Sequence, residues 1–269
     1  MKQLEYITSL NEAAAVTAVR QSYVNEHADQ LIDWIDMTAD SVHLDLPCGA
    51  GGMMQRIREK GYMGFTYLAD INPAMLEAAS LAVPERAAYI LTDAVEVASA
   101  IPEKVDSITT LNGFHIYIDE KQAFLNGCAE VLRPGGKMIF DVSTMSLNHP
   151  SKALLDRHDE LMREGAADLG STANLPSYAQ QGDLEQYAEM ASQAGLTVIG
   201  RHVVEKMIPI KNFEDATIQI PGRLRSRFPG LSDQQRAGLF LETSARAQIE
   251  TGHTGVPHTR LFYTLRKSN

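Results

Sequence analysis

The sequence predicts an α/β fold with a doubly wound, mostly parallel sheet that has helices on both faces. Between residues 42 and 143, short apolar runs alternate with helical segments, and several of the runs end at an acid. This alternation is typical of parallel sheets, because a parallel crossover needs about a dozen residues or more. A glycine cluster also follows the first run directly, at the strand end where such sheets bind ligands.

The first half of the chain contains four predicted strands. Residues 11–38 are predicted to be helical, since Asn11 can cap them and an apolar stripe lies at 31–35. Asn72 is a predicted N-cap, and Pro73 suits the first position of the next helix. The predicted strands are 42–44, 67–69, 89–91 and 105–111, and the predicted helices after the first are 53–60 and 73–81.

The second half begins with a helix at 121–132, a turn at 134–136 and a fifth strand at 137–142. A helix at about 152–163 and another at 183–194, ended by Gly195, precede a strand at 196–209. Two helices separated by Pro229 and Gly230 are predicted within 211–250, and a last strand at 260–266. The helical stretch between the last two strands is too long for a connecting turn, so it predicts a roof over a binding site, with a packing or oligomerisation element as the alternative.

The charge balance limits the classes of partner. The 269 residues include 34 acids against 24 Lys and Arg, which gives a formal net charge of −10. A field of this sign disfavours broad contact with nucleic acid or with an anionic membrane. We find no apolar run long enough for a bilayer and no signal-peptide core at residues 1–6, and Cys48 and Cys128 form neither a disulfide framework nor a metal motif. We therefore expect a cytoplasmic protein with no metal site.

The glycine cluster at residues 49–52 fails two phosphate-binding motifs. A dinucleotide fingerprint needs a third glycine where this chain has Met54. A Walker loop needs Lys followed by Ser or Thr, and neither follows Gly51 or Gly52. With Asp70 ending the second strand and Asp93 following the third, the pattern favours an adenosine ligand without a pyrophosphate.

Five segments, in this order, resemble class I S-adenosylmethionine-dependent methyltransferases. They read LDLPCGAGG at 44–52, ADINPAML at 69–76, DA at 93–94, LNGFH at 111–115 and VLRPGGK at 131–137. The resemblance covers about residues 42–143 and continues more weakly at 182–198. It implies a seven-stranded Rossmann-like methyltransferase sheet with helical cap insertions, whose last strand runs antiparallel to the others.

The resemblance also implies a cofactor, S-adenosylmethionine, and the residues that bind it. Asp45 and the glycine turn would hold the methionine moiety, Asp70 the ribose hydroxyls, and Asp93 the adenine amine, although helix capping competes for Asp93. Pro47 stands where the family usually has a glycine, which is tolerable only if that position is not left-handed. The full implied set is Asp45, Pro47, Cys48, Gly49, Gly51, Asp70, Ile71, Met75, Asp93, Ala94, Asn112 and Gly113.

Two histidines are the candidate general bases. His115 follows the fourth strand, nearest the expected methyl group, and His149 lies a few residues beyond the fifth. The competing interpretation is that His115 only orders its loop and that His149 belongs to a plain turn.

On this interpretation the chain is one domain, residues 1–269. It would consist of N-terminal helices (1–40), a cofactor-binding core (41–143), substrate-side helices and a strand (144–210), a helical roof (211–258) and the last strand (259–269). The expected reaction is methyl transfer to a small organic acceptor, such as a metabolite or natural product, with release of S-adenosylhomocysteine. The alternatives are a non-transfer reaction such as cyclisation, and a non-catalytic cofactor-binding subunit.

Overall fold

The computed structural model describes residues 31–114, 120–144, 152–175, 184–218 and 221–268. Seven strands lie within these residues: β1 (Val42–Asp45), β2 (Phe65–Asp70), β3 (Ala87–Leu91), β4 (Val105–Thr110), β5 (Leu132–Thr144), β6 (Leu196–Pro209) and β7 (Gly255–Lys267). The helices with described bounds are α1 (Gly52–Glu59), α2 (Pro73–Ala82), α3 (Val97–Ala100), α4 (Lys121–Val131), α5 (Lys152–Asp168), α6 (Leu184–Gln193), α7 (Ile210–Ile218), α8 (Pro221–Arg227) and α9 (Asp233–Thr251). Residues 31–35 are also helical, and Ala94–Glu96 form a 3-10 turn.

The strands form one sheet in the order β3-β2-β1-β4-β5-β7-β6. β1 pairs in parallel with β2 and β4, β2 with β3, and β4 with β5. The end of β7 lies beside the starts of β5 and β6, since Lys267 Nζ donates to the Leu132 carbonyl and the Ser268 N–H donates to the Gly195 carbonyl. β7 therefore runs antiparallel, and the predicted doubly wound, mostly parallel seven-stranded fold is confirmed.

One face of the sheet carries the main apolar core. Leu44, Ile108 and Phe140 are fully buried there against Phe124 of α4 and Tyr187 of α6. Each such large side chain contributes about 1.5–3 kcal/mol relative to an exposed one.

The opposite face is polar near β1 and β4. His43 and Asp45 of β1 pair with Ser107 and Thr109 of β4, and all four side chains are buried. Side chains alternate along a strand with a period of two, so this register places the four on the same face.

By contacts the chain divides into two compact units. The first comprises residues 1–143, 182–203 and 261–269, and the second comprises 144–181 and 204–260. In the second unit α5 packs against α9, with Met162, Leu224, Phe228 and Phe240 in its apolar core. The predicted single domain with a roof stays a prediction.

Four element predictions need correction, one of which is the last strand, since β7 begins at Gly255 and not at 260. The expected turn at 134–136 lies inside β5, where the pairing with β4 shifts from Val105–Leu132 to Ser107–Lys137 across an irregularity. α5 extends to Asp168, beyond the predicted end at 163. Residues 210–251 form three helices instead of two, because Pro221 opens a helix of its own, in the position where a missing N–H costs nothing.

None of the helices in the described ranges is long and apolar enough to span a bilayer. Within the same ranges, no cluster of three or more His, Cys, Asp or Glu side chains is arranged to hold a metal ion.

Candidate functional site

The candidate site lies at the carboxyl ends of the parallel strands. Asp45 is the last residue of β1, Asp70 is the last of β2, and Asn112 follows β4 by two residues. The sheet order reverses between β1 and β4, since β2 and β3 lie on one side of β1 and β4 and β5 on the other. Such a switch point forms a crevice in which open α/β sheets bind ligands.

Asp70 ties the glycine turn to the end of β2. The backbone N–H of Gly49 donates to Asp70 Oδ2 at 2.9 Å, and the N–H of Asn72 donates to Oδ1 at the same distance. The N–H of Cys48 donates to the Ala69 carbonyl, also at 2.9 Å. Asp70 is buried, and its two oxygens hold the backbone of the loop after β1 and of the loop after β2.

The glycines of the turn serve different purposes. Gly49 has a φ of 54°, and a Cβ built on it would meet no atom within 4 Å. Gly51 has a φ of 75°, and its Cβ would lie 3.1 Å from the Cα of Ala79 in α2. A side chain at Gly51 would thus crowd α2 as well as strain the turn, whereas Gly49 leaves open space beside the backbone, where a ligand can approach.

Asp45 presents a buried oxygen that needs a hydrogen-bond donor. Thr109 Oγ1 donates to Asp45 Oδ1 at 2.8 Å, while Oδ2 is buried and has no donor among the described residues. Burial raises the pKa of Asp45 to about 7; the negative charge of Asp70 acts in the same direction, and the hydrogen bond from Thr109 opposes it. A buried acceptor without a donor is costly, so Oδ2 suits a donor supplied by a ligand.

The loops after β1 and β4 contact each other at the switch point. A Cβ on Gly113 would lie 2.4 Å from Cδ of Pro47, so the loops after β1 and β4 touch here and leave no space for a side chain. Pro47 lies outside the left-handed region, which is the condition for its replacing a glycine. Asn112 is left-handed, with a φ of 56°, and its N–H donates to Oδ1 of Asp141 at 2.6 Å.

Asp141 and Thr109 are site residues that the sequence reasoning missed. Asp141 is a fully buried acid between Phe140 and Val142 near the end of β5, and this acid inside an apolar strand is the signal that could have found it. Thr109 carries no comparable signal, since threonine is ordinary in a strand.

Two of the predicted residues act as caps. Asn72 Oδ1 accepts from the N–H groups of Ala74 and Met75, which confirms the predicted N-cap of α2. Asp93 Oδ1 accepts from the Val95 N–H at 3.2 Å, so Asp93 has the capping contact that competed with the adenine role.

The remaining predicted contacts differ in exposure. Ile71 is 37% exposed at the strand edge, Met75 is buried in α2, and Ala94 is half-buried. Cys48 is buried and burial raises its pKa, which favours packing over nucleophilic chemistry. The predicted bases His115 and His149 lie outside the described residues, so their roles stay predictions.

Residues 44–140 match the methyltransferase domain family. No curated protein matches the chain. A solved structure of a candidate methyltransferase from Bacillus halodurans C-125 is similar over 91% of this chain and 100% of its own, with a TM-score of 0.60 and 13% identity. The 4+2 cyclase SpnF aligns over 91% of this chain and 80% of its own, with a TM-score of 0.56 and 15% identity.

A third similar structure is phosphoethanolamine N-methyltransferase 2 of Haemonchus contortus, in complex with phosphomonomethylethanolamine and S-adenosylhomocysteine. It aligns over 98% of this chain and 61% of its own, with a TM-score of 0.53 and 17% identity. The switch-point crevice, the sheet order and the family match define a Rossmann-like methyltransferase domain at residues 44–140. By this domain match and by its fold, the chain is similar to class I S-adenosylmethionine-dependent methyltransferases.

Proposed function

We propose that the chain binds S-adenosylmethionine at the carboxyl ends of β1, β2 and β4 and transfers its methyl group to a small organic acceptor. The observation that carries this proposal is Oδ2 of Asp45, which is buried and has no hydrogen-bond donor among the described residues. Asp45 lies four residues before Gly49, where the turn leaves open space beside the backbone. A cofactor with a cationic amino group on a narrow chain that can lie against the backbone fits this combination of a buried acid and an uncovered glycine.

Three residues have separate parts in holding the cofactor. Asp45 would accept a hydrogen bond from the amino group of the methionine moiety, and Gly49 would let that moiety lie against the backbone. Asp70 would accept hydrogen bonds from the ribose hydroxyls. A carboxylate oxygen can accept more than one hydrogen bond, so the N–H donors of Gly49 and Asn72 orient Asp70 without excluding that role.

The bound cofactor supplies a methyl group already activated by its sulfonium. The task left for this chain is to align the acceptor and to exclude water, and orientation of this kind lowers a barrier by about 7–11 kcal/mol. An acceptor that must lose a proton also needs a base, which adds about 10²–10⁴-fold. His115 is our first candidate for this base and His149 the second.

The acceptor class rests on charge and on one relative. The net charge of −10 disfavours a nucleic-acid substrate. The similar phosphoethanolamine N-methyltransferase has a small molecule, phosphomonomethylethanolamine, in its complex. Both support a small-molecule acceptor, and the two free cysteines support a reducing compartment such as the cytoplasm.

A cyclisation that uses the same cofactor site is the second candidate, favoured by the structural similarity to SpnF. Incubating the protein with methyl-labelled S-adenosylmethionine and a panel of amine, hydroxyl and acidic C–H acceptors separates the two functions. Label transferred to an acceptor supports methyl transfer, and a dependence on His115 would identify the base. Tight cofactor binding with no label transferred to any acceptor would favour the cyclase.

A further inference from the structure

Asp45 is the last member of a chain of four buried side chains on β1 and β4. Ser107 Oγ lies 2.8 Å from His43 Nδ1, His43 Nε2 lies 3.0 Å from Thr109 Oγ1, and Thr109 Oγ1 lies 2.8 Å from Asp45 Oδ1. None of the four side chains is more than 2% exposed. The group that holds the cofactor in our proposal is therefore connected to a histidine that the proposed mechanism does not use.

His43 is neutral in this environment. Burial lowers its pKa to about 3, and the positive charge of Arg58 acts in the same direction. A neutral imidazole has one N–H donor and one acceptor nitrogen, so its two hydroxyl partners must play opposite roles.

When Asp45 is ionised, the role of each partner follows. An ionised carboxylate only accepts, so Thr109 gives its single hydroxyl proton to Asp45 Oδ1. Thr109 Oγ1 must then accept from His43 Nε2–H, and His43 Nδ1 must accept from the hydroxyl of Ser107. All the hydrogen bonds of the chain then point toward Asp45.

We propose that His43 is a positioning residue for Asp45. In its Nε2–H tautomer it holds the hydroxyl proton of Thr109 on Oδ1, and this leaves Oδ2 as the oxygen that receives the donor of the cofactor. This inference rests on the proposed function, since it assigns a purpose to the geometry of the cofactor site.

The opposite direction gives a distinct signature. If Asp45 carries a proton on Oδ1, it donates to Thr109, Thr109 donates to His43 Nε2, and His43 Nδ1–H donates to Ser107. The tautomer of His43 therefore reports in which direction the four hydrogen-bonded side chains donate.

The test combines the tautomer with cofactor affinity. Nitrogen NMR of protein with labelled histidine rings, at a pH above the pKa of Asp45, reads the protonated ring nitrogen of His43, with H43Q used to assign its signals. Calorimetric titration with S-adenosylhomocysteine then compares the unmodified protein with Thr109→Val, Thr109→Ser and Thr243→Val. Thr243 is the matched control, because it is also a buried threonine but donates to carbonyls of its own helix.

We expect a neutral His43 in the Nε2–H form. Thr109→Val should weaken S-adenosylhomocysteine binding by at least about tenfold, the scale of a lost hydrogen bond to a charged group. It should also shift His43 toward the Nδ1–H form, because Nε2 loses its acceptor while Nδ1 still faces Ser107 Oγ. Thr109→Ser should restore both, and Thr243→Val should bind as the unmodified protein does.

Three results would overturn the positioning role. A charged or Nδ1–H His43 in the unmodified protein would do so without any variant, and so would unchanged affinity in Thr109→Val. An unmodified protein that shows the Nε2–H tautomer but does not bind S-adenosylhomocysteine would overturn the proposed function, and the positioning role with it. The wrong tautomer together with normal binding would overturn the positioning role alone.

Discussion

The backbone N–H of Gly49 donates a 2.9 Å hydrogen bond to Oδ2 of Asp70, so a residue in the turn after β1 is held by the acid that ends β2. The two residues are 21 positions apart in the chain and come from different sequence motifs. The bond fixes the opening of the glycine turn relative to the strand edge, and the proposed cofactor site depends on this relationship.

Replacing Asp70 should therefore lower the affinity for the cofactor more than it lowers the stability of the fold. Asp70→Ala removes the acceptor for two backbone N–H groups and for the ribose hydroxyls, so we expect S-adenosylhomocysteine to bind at least about tenfold more weakly. Asp215→Ala is the control, because Asp215 forms an exposed i,i+4 ion pair with Lys211 in α7. Calorimetric affinities that are equal for Asp70→Ala and the unmodified protein would refute the ribose role.

The glycine turn allows strain to be separated from ligand contact. Gly49 and Gly195 both have a left-handed φ, of 54° and 75°, with open space around an added Cβ. Alanine at either position should cost about 1–2 kcal/mol of unfolding free energy, measured by urea denaturation. Only Gly49→Ala should also weaken S-adenosylhomocysteine binding, and equal binding by the two variants would remove Gly49 from the site.

Gly51→Ala should be the more destabilising of the two substitutions in the turn. Its Cβ would lie 3.1 Å from the Cα of Ala79, so α1 and α2 would have to separate in addition to the backbone strain. A urea midpoint for Gly51→Ala equal to that of Gly49→Ala would show that this helix contact adjusts without cost.

Local patterns predicted the elements that depend on local chemistry. Asn72 and Pro73 mark the start of α2, and β6 spans the predicted residues 196–209, because caps and apolar runs are properties of neighbouring residues. The bulge near the start of β5 was missed, since the pairing of Lys137 with Ser107 in β4 extends the strand through a sequence that otherwise predicts a turn.

The site was predicted less completely than the fold, because several site residues have hydrogen-bond partners that are distant in the sequence. The acids at the ends of β1 and β2 can be found in the sequence, because each directly follows an apolar run. The contacts of Thr109 with Asp45 and of Asp141 with Asn112 join residues 64 and 29 positions apart, and no local pattern encodes them. Asp93 was the ambiguous case, and the N–H of Val95 shows that a capping contact is formed.

Cofactor affinity should depend on pH through Asp45. Burial raises its pKa to about 7, and the pairing that we propose requires the ionised form. The affinity for S-adenosylhomocysteine should therefore rise between about pH 6 and about pH 8 and level off above that range. Asp45→Asn should bind weakly with no such rise, and a pH profile of the unmodified protein as flat as that of the variant would contradict the role of Asp45.

His158 should make folding stability sensitive to acid. Burial lowers its pKa from 6.5 to about 4, although a backbone hydrogen bond with Phe240 opposes the shift. The unfolded chain then binds a proton more readily, so stability is present above pH 6.5 and is lost as the pH falls toward 4. The difference is on the order of 3 kcal/mol.

His158→Asn isolates this effect, since its amide can still donate to the backbone but does not titrate. Asp159, whose pKa is raised to about 6, acts in the opposite direction but is present in both proteins and cancels in the comparison. Urea unfolding at about pH 7.5 and about pH 4.5 should show a larger loss for the unmodified protein than for the variant. Equal losses would mean that His158 does not titrate on unfolding.

The central claim is that the buried acids and the open glycine turn at the strand ends form a site for S-adenosylmethionine. Calorimetric titration of the unmodified protein with S-adenosylhomocysteine at about pH 8 tests it most directly. We predict saturable binding of one molecule per chain, weakened in Asp70→Ala and in Asp45→Asn. A folded protein that shows no heat of binding, or that binds equally well with both acids replaced, would contradict the claim.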